Sequence, residues 1–208
     1  AVTADTIIGG IIADLPSGVT GKHIGTGIYL SSTNPFSVEI VEEDLMRCFQ
    51  GSVNDVQNLP NQCKHGYIVK ISNSRMSDED DYYLRFDGAN NRDGVGSWSE
   101  CAEPGIAKSL TNMPIVIQRT AFNNNTQIAT FTVKQFTYAD RRVGDDTTNP
   151  MPSFVGARIN KVLFFRNRLA LLSGENVITS RPGTLGTPDF FNETALTVSA
   201  SDPVDISA

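Results

Sequence analysis

Two prolines and three closely spaced apolar runs between residues 150 and 179 constrain this 208-residue chain more than any other feature. Pro150 and Pro152 fix their own φ and push the residues before them into extended conformation. The chain therefore runs straight through residues 153–155, and no helix continues there. In the run that follows, Val162 and Phe164 face one side of an extended strand, and Leu163, Phe165 and Asn167 face the other. Residues 161–172 thus read as buried on most of both faces, except at Arg166 and Arg168. Ser173, Gly174, Glu175 and Asn176 supply the next turn, and Val177, Ile178 and Thr179 restart a strand. This is the pattern of a β-meander.

An acidic turn stands just upstream. Asp145 and Asp146 follow Gly144, where their carboxylates can accept backbone N–H groups within the turn and pair with Arg141, Arg142, Arg158 or Arg166. Such a pair brackets the entry to the meander and does no chemistry.

Length and composition set the outer bounds. A chain of 208 residues with 39% hydrophobic and 19% charged residues can hold one large or two small domains with a real core. The apolar run at residues 7–12 is too short to span a membrane, is broken by Gly9 and Gly10 and lacks a basic flank, so it is neither a signal peptide nor a transmembrane helix. A start at Ala1 and an end in mid-pattern point to a piece of a longer polypeptide. Cys48, Cys63 and Cys101 leave at least one thiol unpaired and show no C-x-x-C spacing, which speaks against a disulfide framework or zinc site and fits folding in a reducing cytoplasm.

Charge divides the chain. Residues 1–104 hold 15 acidic and 7 basic residues, whereas residues 105–208 hold 8 acidic and 10 basic. An acidic surface repels phosphate and releases no counterions from DNA, which argues against a sequence-reading DNA binder. It does not argue against a conduit, whose walls must let DNA slide. The plainer explanation, a solvated face of an ordinary globular protein, accounts for the same residues.

Along the chain, Thr3 caps a short helix whose apolar set, Ile7, Ile8, Ile11, Ile12 and Leu15, recurs at the spacing of one buried face. Pro16, Ser17 and Gly18 end it. Residues 24–31 and 36–41 are strand-forming and flank Ser32, Thr33, Asn34 and Pro35, a hairpin-turn composition. Residues 53–59 suit one short helix closed by Pro60. Three strands follow at 67–71, 82–86 and 98–101, joined by polar connections at 72–81 and 87–97. Residues 115–121 pair with 128–136 across Asn123, Asn124 and Asn125.

Catalytic and metal signatures fail on inspection. The acidic run Asp78, Glu79, Asp80 and Asp81 cannot converge on one cation from an extended segment whose side chains alternate, and reads as a solvated loop. Residues 87–98 superficially match a calcium loop, but Ala89, Arg92 and Trp98 occupy positions that need a ligand, a glycine and a ligand. GVTGK at 18–22 lacks the spacing of a phosphate-binding loop and has His23 after the lysine, so a hairpin turn explains it. His23 and His65 sit in turn-like surroundings without a partnered nucleophile. Catalytic, cofactor and metal residues are therefore expected to be none.

Four motifs in order carry a family resemblance: GDDTTNP at 144–150, PSFVG at 152–156, INKVLFFRNRL at 159–169 and LSGENVITSR at 172–181. The chain resembles the tail nozzle family, tail tubular protein B, of short-tailed T7-like bacteriophages. VQNLPNQC at 56–63, YIVKI at 67–71, DDYYLRFD at 80–87 and WSE at 98–100 agree at lower detail. The resemblance implies a noncatalytic structural protein of the virion tail, assembled in the host cytoplasm. It further implies a six-fold ring of copies forming the distal DNA-ejection conduit, contact with the adaptor ring (tail tubular protein A) and tail fibre proteins, and DNA passing without specific binding. It also implies a β-propeller whose first blade begins after Pro152.

The fold expected is α+β, predominantly β, in three parts: a helix-plus-hairpin unit at 1–62, small antiparallel β units at 63–150, and an incomplete propeller-like meander at 151–208. Two other functions stay open. A glycan- or receptor-binding module would display Trp98, Tyr82 and Tyr83 as a platform, and an envelope-degrading enzyme would need a carboxylate pair in a cleft.

Overall fold

The computed structural model describes residues 2–42, 45–73, 80–111, 113–184 and 186–207, and the chain divides into two units, Ala1–Cys101 and Ala102–Ala208. Antiparallel β-structure predominates in both, as the sequence predicts.

The first unit opens with α1 (Ala4–Ala13), where the Thr3 hydroxyl accepts the Thr6 N–H at 3.3 Å. Ile8 is buried and Ile11, Ile12 and Leu15 are half-buried, but Ile7 is 51% exposed. The helix touches only a narrow surface, and adjacent residues diverge by about 100° around its axis, so that surface covers Ile8 and leaves Ile7 in water. That surface is strand β1 (Val19–Ile24): a Cβ on Gly21 would meet Leu15 at 2.7 Å and Ile12 at 3.0 Å.

Strand β2 (Gly27–Ser32) returns along β1 after a two-residue loop of Gly25, at φ 57°, and Thr26. Two expectations are corrected here. GVTGK is mostly strand rather than turn, and the hairpin closes at 25–26 instead of 32–35, leaving residues 36–41 outside any strand. Only the earlier site offers a glycine for the positive φ that a tight loop requires.

Five strands make the main sheet of this unit: β3 (Ser52–Val53), β4 (Gln62–Cys63), β5 (Ile68–Ile71), β6 (Tyr82–Gly88) and β7 (Gly94–Cys101), in the order β3-β5-β6-β7-β4. Strands β5, β6 and β7 form an antiparallel meander, while β3 joins β5 in parallel and β4 joins the far edge of β7. Alternation brings Val69, Ile71, Leu84 and Phe86 onto one face, where all are buried, and Tyr67, Tyr82 and Trp98 pack beside them. A short 3-10 turn, Val56–Asn58, is capped by Asp55 and stops before Pro60.

The connection expected at 87–97 contracts to residues 89–93, because Asn90 and Asn91 both adopt φ 56° and β7 begins at Gly94. Gly96 lies across from Gly88, and a Cβ there would sit 2.7 Å from the Gly88 Cα and from the Phe86 ring, so the two strands can approach only with glycine.

In the second unit, β8 (Ile115–Asn123) and β9 (Ile128–Gln135) form a two-stranded ribbon, close to the expected pairing. The Asn123 Oδ1 accepts the Asn125 and Thr126 N–H groups at 2.9 and 3.2 Å, but the left-handed residue of the turn is Gln127, at φ 57°.

Strands β10 (Ile159–Phe165), β11 (Arg168–Ser173), β12 (Asn176–Thr179) and β13 (Val204–Ser207) then pair in chain order as a four-stranded antiparallel meander. Two details differ from the sequence reading. Residues 153–156 form turns rather than running straight, since the Val155 N–H reaches the Pro152 carbonyl at 2.9 Å and the Ala157 N–H reaches Phe154 at 3.0 Å. Burial on both faces holds for much of β11 but not for β10, whose Val162, Leu163, Phe164 and Phe165 are 40–67% exposed, because β10 stands at the sheet edge. The core of the unit collects Leu110, Met113, Tyr138, Phe154, Leu169, Leu171, Ile178, Phe190 and Phe191.

Candidate functional site

The polar residues ahead of the meander converge on one buried guanidinium. Arg141 is 1% exposed, a burial that a charge tolerates when paired and hydrogen-bonded; its two terminal nitrogens meet that need, while Nε has no hydrogen-bond partner among the described residues. Its Nη1 donates to the Asp146 carboxylate at 2.8 Å and to the carbonyls of Asn149 and Asp145 at 2.9 and 3.2 Å; its Nη2 donates to the Ala107 carbonyl at 2.5 Å. The Phe191 ring centroid lies 6.0 Å from the guanidinium carbon.

Asp145 works differently from its neighbour. Its Oδ1 accepts the Thr147 and Thr148 N–H groups at 2.9 and 2.8 Å and the Thr148 hydroxyl at 3.0 Å, closing an Asx turn. Gly144 enters that turn at φ 74°. Asn149, 2% exposed, continues the network: its amide donates to the Val143 and Asn192 carbonyls, and its Oδ1 accepts the Asn192 N–H at 2.9 Å.

A second cluster stands at residues 189–193. The buried Asp189 carboxylate meets Arg142 at 3.1 Å and Arg181 at 3.5 Å and accepts the Phe191 N–H at 3.0 Å, while Arg181 also pairs with Glu193 at 2.7 Å. Of the four arginines considered as partners for the aspartate pair, Arg141 meets it, through Asp146. Arg142 turns to Asp189, and Arg158 and Arg166 have no ion pair among the described residues. Sequence reading missed Asn149, Asp189 and Asn192; nothing in their spacing reveals that a loop 43 residues later returns to the turn.

Most bonds in this assembly tie side chains to backbone, and its carboxylates are paired with arginines or close the turn. The remaining candidates are likewise spent on structure. His65 accepts the Gly88 N–H through Nδ1 at 3.1 Å, and His23 Nε2 lies 2.7 Å from the Gly25 carbonyl. No group of three or more His, Cys, Asp or Glu side chains gathers among the described residues. Trp98 donates its indole N–H to the Pro60 carbonyl at 2.8 Å and packs edge-on against Phe86, and Tyr82 lies against the same core, so these rings do not form a platform.

Asp78 and Glu79 of the acidic run lie outside the described residues. Asp81 contradicts the solvated-loop expectation: it is 1% exposed and held by Lys70 at 2.7 Å.

On the outer face of the first unit, Asp87 accepts from the Ser99 hydroxyl at 2.5 Å and from Arg85 at 2.8 and 3.0 Å. The Ser99 bond, then the Arg85 contact, holds its carboxyl below the usual carboxylate range. A lowered folded-state pKa stabilises the fold above the unfolded value, and this contribution is lost as pH falls through the folded value. Acid unfolding of the chain is therefore expected to steepen below about pH 4, and Asp87→Asn to flatten that limb; carboxyl NMR titration with parallel melts measures both. A parental and variant acid limb of equal slope would refute the assignment.

Comparison with known proteins links the chain to bacteriophage tail proteins. The family model for bacteriophage nozzle protein matches residues 15–208. The tail tubular protein gp12 of Escherichia phage T7 is 36% identical over 151 residues, covering 72% of this chain. The chain spans about 17% of the length of that curated relative.

Proposed function

The chain belongs to the bacteriophage nozzle protein family, whose members are structural tail proteins and not enzymes, and on that premise we propose that it forms part of the distal conduit through which DNA leaves a short-tailed virion. The match across residues 15–208, which takes in both units, carries this reading. In the proposed arrangement, copies form a six-fold ring that meets the adaptor, tail tubular protein A, and the tail fibre proteins. The four-stranded meander at 159–207 is proposed as the first blade of a propeller.

The physical character of the chain supports a load-transmitting part. The Arg141 and Asp189 clusters cross-tie residues 107, 141–149 and 189–193, so force on the turn reaches several backbone segments at once. The acidic excess of residues 1–104 gives a passing duplex nothing to grip. No described helix is long and apolar enough to cross a membrane, and none is required here.

Electron cryomicroscopy of the intact virion tests the placement: density for this chain is expected around the tail axis below the adaptor, and density confined to a fibre or to the capsid would overturn it. DNA binding gives an independent check. Duplex affinity at physiological salt is expected to be weaker than about 1 μM, with no sequence preference and a shallow salt slope. Submicromolar binding that persists in high salt would point to a nucleic-acid function instead.

A further inference from the structure

A histidine ring completes the ladder between β5 and β6 where the backbone turns away. On the side of β6 that faces β5, the Phe86 N–H reaches the Tyr67 carbonyl at 2.8 Å and the Phe86 carbonyl accepts the Gly66 N–H at 2.8 Å. Two residues further on, the Gly88 N–H points to the same side. Residues 64–67 have closed a turn by then, with the Tyr67 N–H on the Lys64 carbonyl at 3.1 Å and Gly66 at φ 79°. The Gly88 N–H is met there by a side chain, His65, whose Nδ1 accepts it at 3.1 Å.

A ring nitrogen accepts a hydrogen bond only while it carries no proton, so this rung exists for the neutral ring with its proton on Nε2 and is lost on protonation. What the rung holds is a strained connection. Residues 89–93 fold so closely over Gly88 that a Cβ there would collide with the Arg92 carbonyl, and Asn90 and Asn91 both stand at φ 56°, a left-handed conformation uncommon outside glycine. Asp93 supplies a second tie, its Oδ1 accepting the His65 N–H at 2.8 Å.

The charged groups around the ring come from each neighbouring element. Asp93 of the connection is paired with Lys22 of β1, and that bond holds its carboxyl below the usual range. Asp87 of β6 also lies near the ring and is held low by Ser99, then by Arg85. Lys64 precedes His65 and bonds the Tyr29 hydroxyl at 3.3 Å, Arg92 is exposed, and burial pushes the Cys63 thiol of β4 up. Both carboxylates therefore stay charged through the pH range in which a histidine titrates, and they offer a protonated ring a place to turn when it leaves Gly88.

We propose that His65 is a proton-sensitive latch: its neutral ring holds residues 88–93 closed against the 64–67 turn, and mild acid turns the ring to the Asp87 and Asp93 carboxylates and releases Gly88. Closure requires the unprotonated ring, so it is complete above the ordinary histidine value of about 6.5 and is lost as pH falls through that range. The rest of the sheet has no such dependence, since its rungs are backbone bonds. All of these contacts lie within the first unit, and none depends on the placement in a virion tail.

Amide exchange by NMR, corrected for the intrinsic effect of pH on exchange, tests the latch. Between about pH 7.5 and about pH 5.5, protection of the Gly88 N–H is expected to fall at least about tenfold, while Phe86, two residues away in the same ladder, keeps its protection. In His65→Asn the side-chain oxygen takes the place of Nδ1 and does not titrate, so Gly88 should stay protected at both pH values. His23, the other histidine, lies at the Gly25 carbonyl and Asp5 and remains in that variant, so any pH dependence that survives there belongs elsewhere. The parental chain gives a reading that needs no variant: at the upper pH the ring nitrogen shifts should place the proton of His65 on Nε2, and the Gly88 amide shift should follow the titration of His65 and not that of His23. Parental Gly88 protection that is constant with pH, a fall that persists in His65→Asn, joint loss at Gly88 and Phe86, or a neutral ring protonated on Nδ1 would each overturn the proposal.

Discussion

Arg141→Leu is expected to destabilise the second unit by about 3–5 kcal/mol, while Asp146→Asn costs less than about 1 kcal/mol. The two residues share one 2.8 Å ion pair, so the asymmetry comes from what surrounds each of them. The Arg141 side chain is fully buried and that of Asp146 is 72% exposed. Removing the guanidinium strips donors from the carbonyls of Ala107, Asp145 and Asn149 in a place that water reaches poorly, and each orphaned acceptor costs about 1–3 kcal/mol before relaxation. Removing the Asp146 charge merely returns its oxygen to solvent and leaves an amide that still accepts. Asp145→Ala falls between the two, since it opens an Asx turn whose N–H groups at Thr147 and Thr148 are partly reachable by water. Urea unfolding of the three variants separates them. An Arg141→Leu protein with the parental midpoint, or an Asp146→Asn protein that is the least stable of the set, would show that the guanidinium is not the hub.

Lys70→Met is the second change with a large expected effect, about 3 kcal/mol of destabilisation in the first unit. Asp81 is 1% exposed and relies on the Lys70 ammonium at 2.7 Å, with the Ser72 hydroxyl at 3.4 Å, and its Oδ1 has no hydrogen-bond partner. Taking away the cation strands a carboxylate in low dielectric. Lys70 keeps 28% of its side chain in contact with water, which holds the figure at the lower end for buried pairs. Asp81→Leu, which removes the buried charge and leaves the ammonium a route to solvent, should cost less. The combination Lys70→Met/Asp81→Leu should recover most of the loss, because two apolar side chains then occupy the edge of a core already containing Val69, Ile71 and Leu84. Additive losses in that double-mutant cycle would mean that the two groups do not depend on each other.

Legibility from sequence followed the range of the interactions involved. The meander from Lys161 to Thr179, the three central strands of the first sheet and the β8–β9 ribbon are local in sequence, so alternation and turn chemistry revealed them. The bracket role of Asp145 and Asp146 was readable for the same reason, since its partners lie within five residues. The first hairpin was misplaced because composition at residues 32–35 outweighed the positive φ available at Gly25. The burial of Asp81 and the exposure of β10 were not readable, because each depends on which neighbour the fold supplies. Asn149 and Asp189 belong to the same class: their partners arrive from Asn192, Arg142 and Arg181, and no spacing rule links those positions.

The order in which strands meet has a consequence for how the chain emerges during synthesis. In the second unit β9 pairs with β8, and β11, β12 and β13 each pair with the strand just made, so most ladders close over short loops as soon as their residues appear. In the first unit β4 must wait for β7, and β3 must wait for β5 to pair in parallel. Until residues 94–101 have emerged, the apolar face of Val69, Ile71 and Leu84 lacks the strand that completes its sheet, and this interval is when a growing chain of this kind is most exposed to wrong partners.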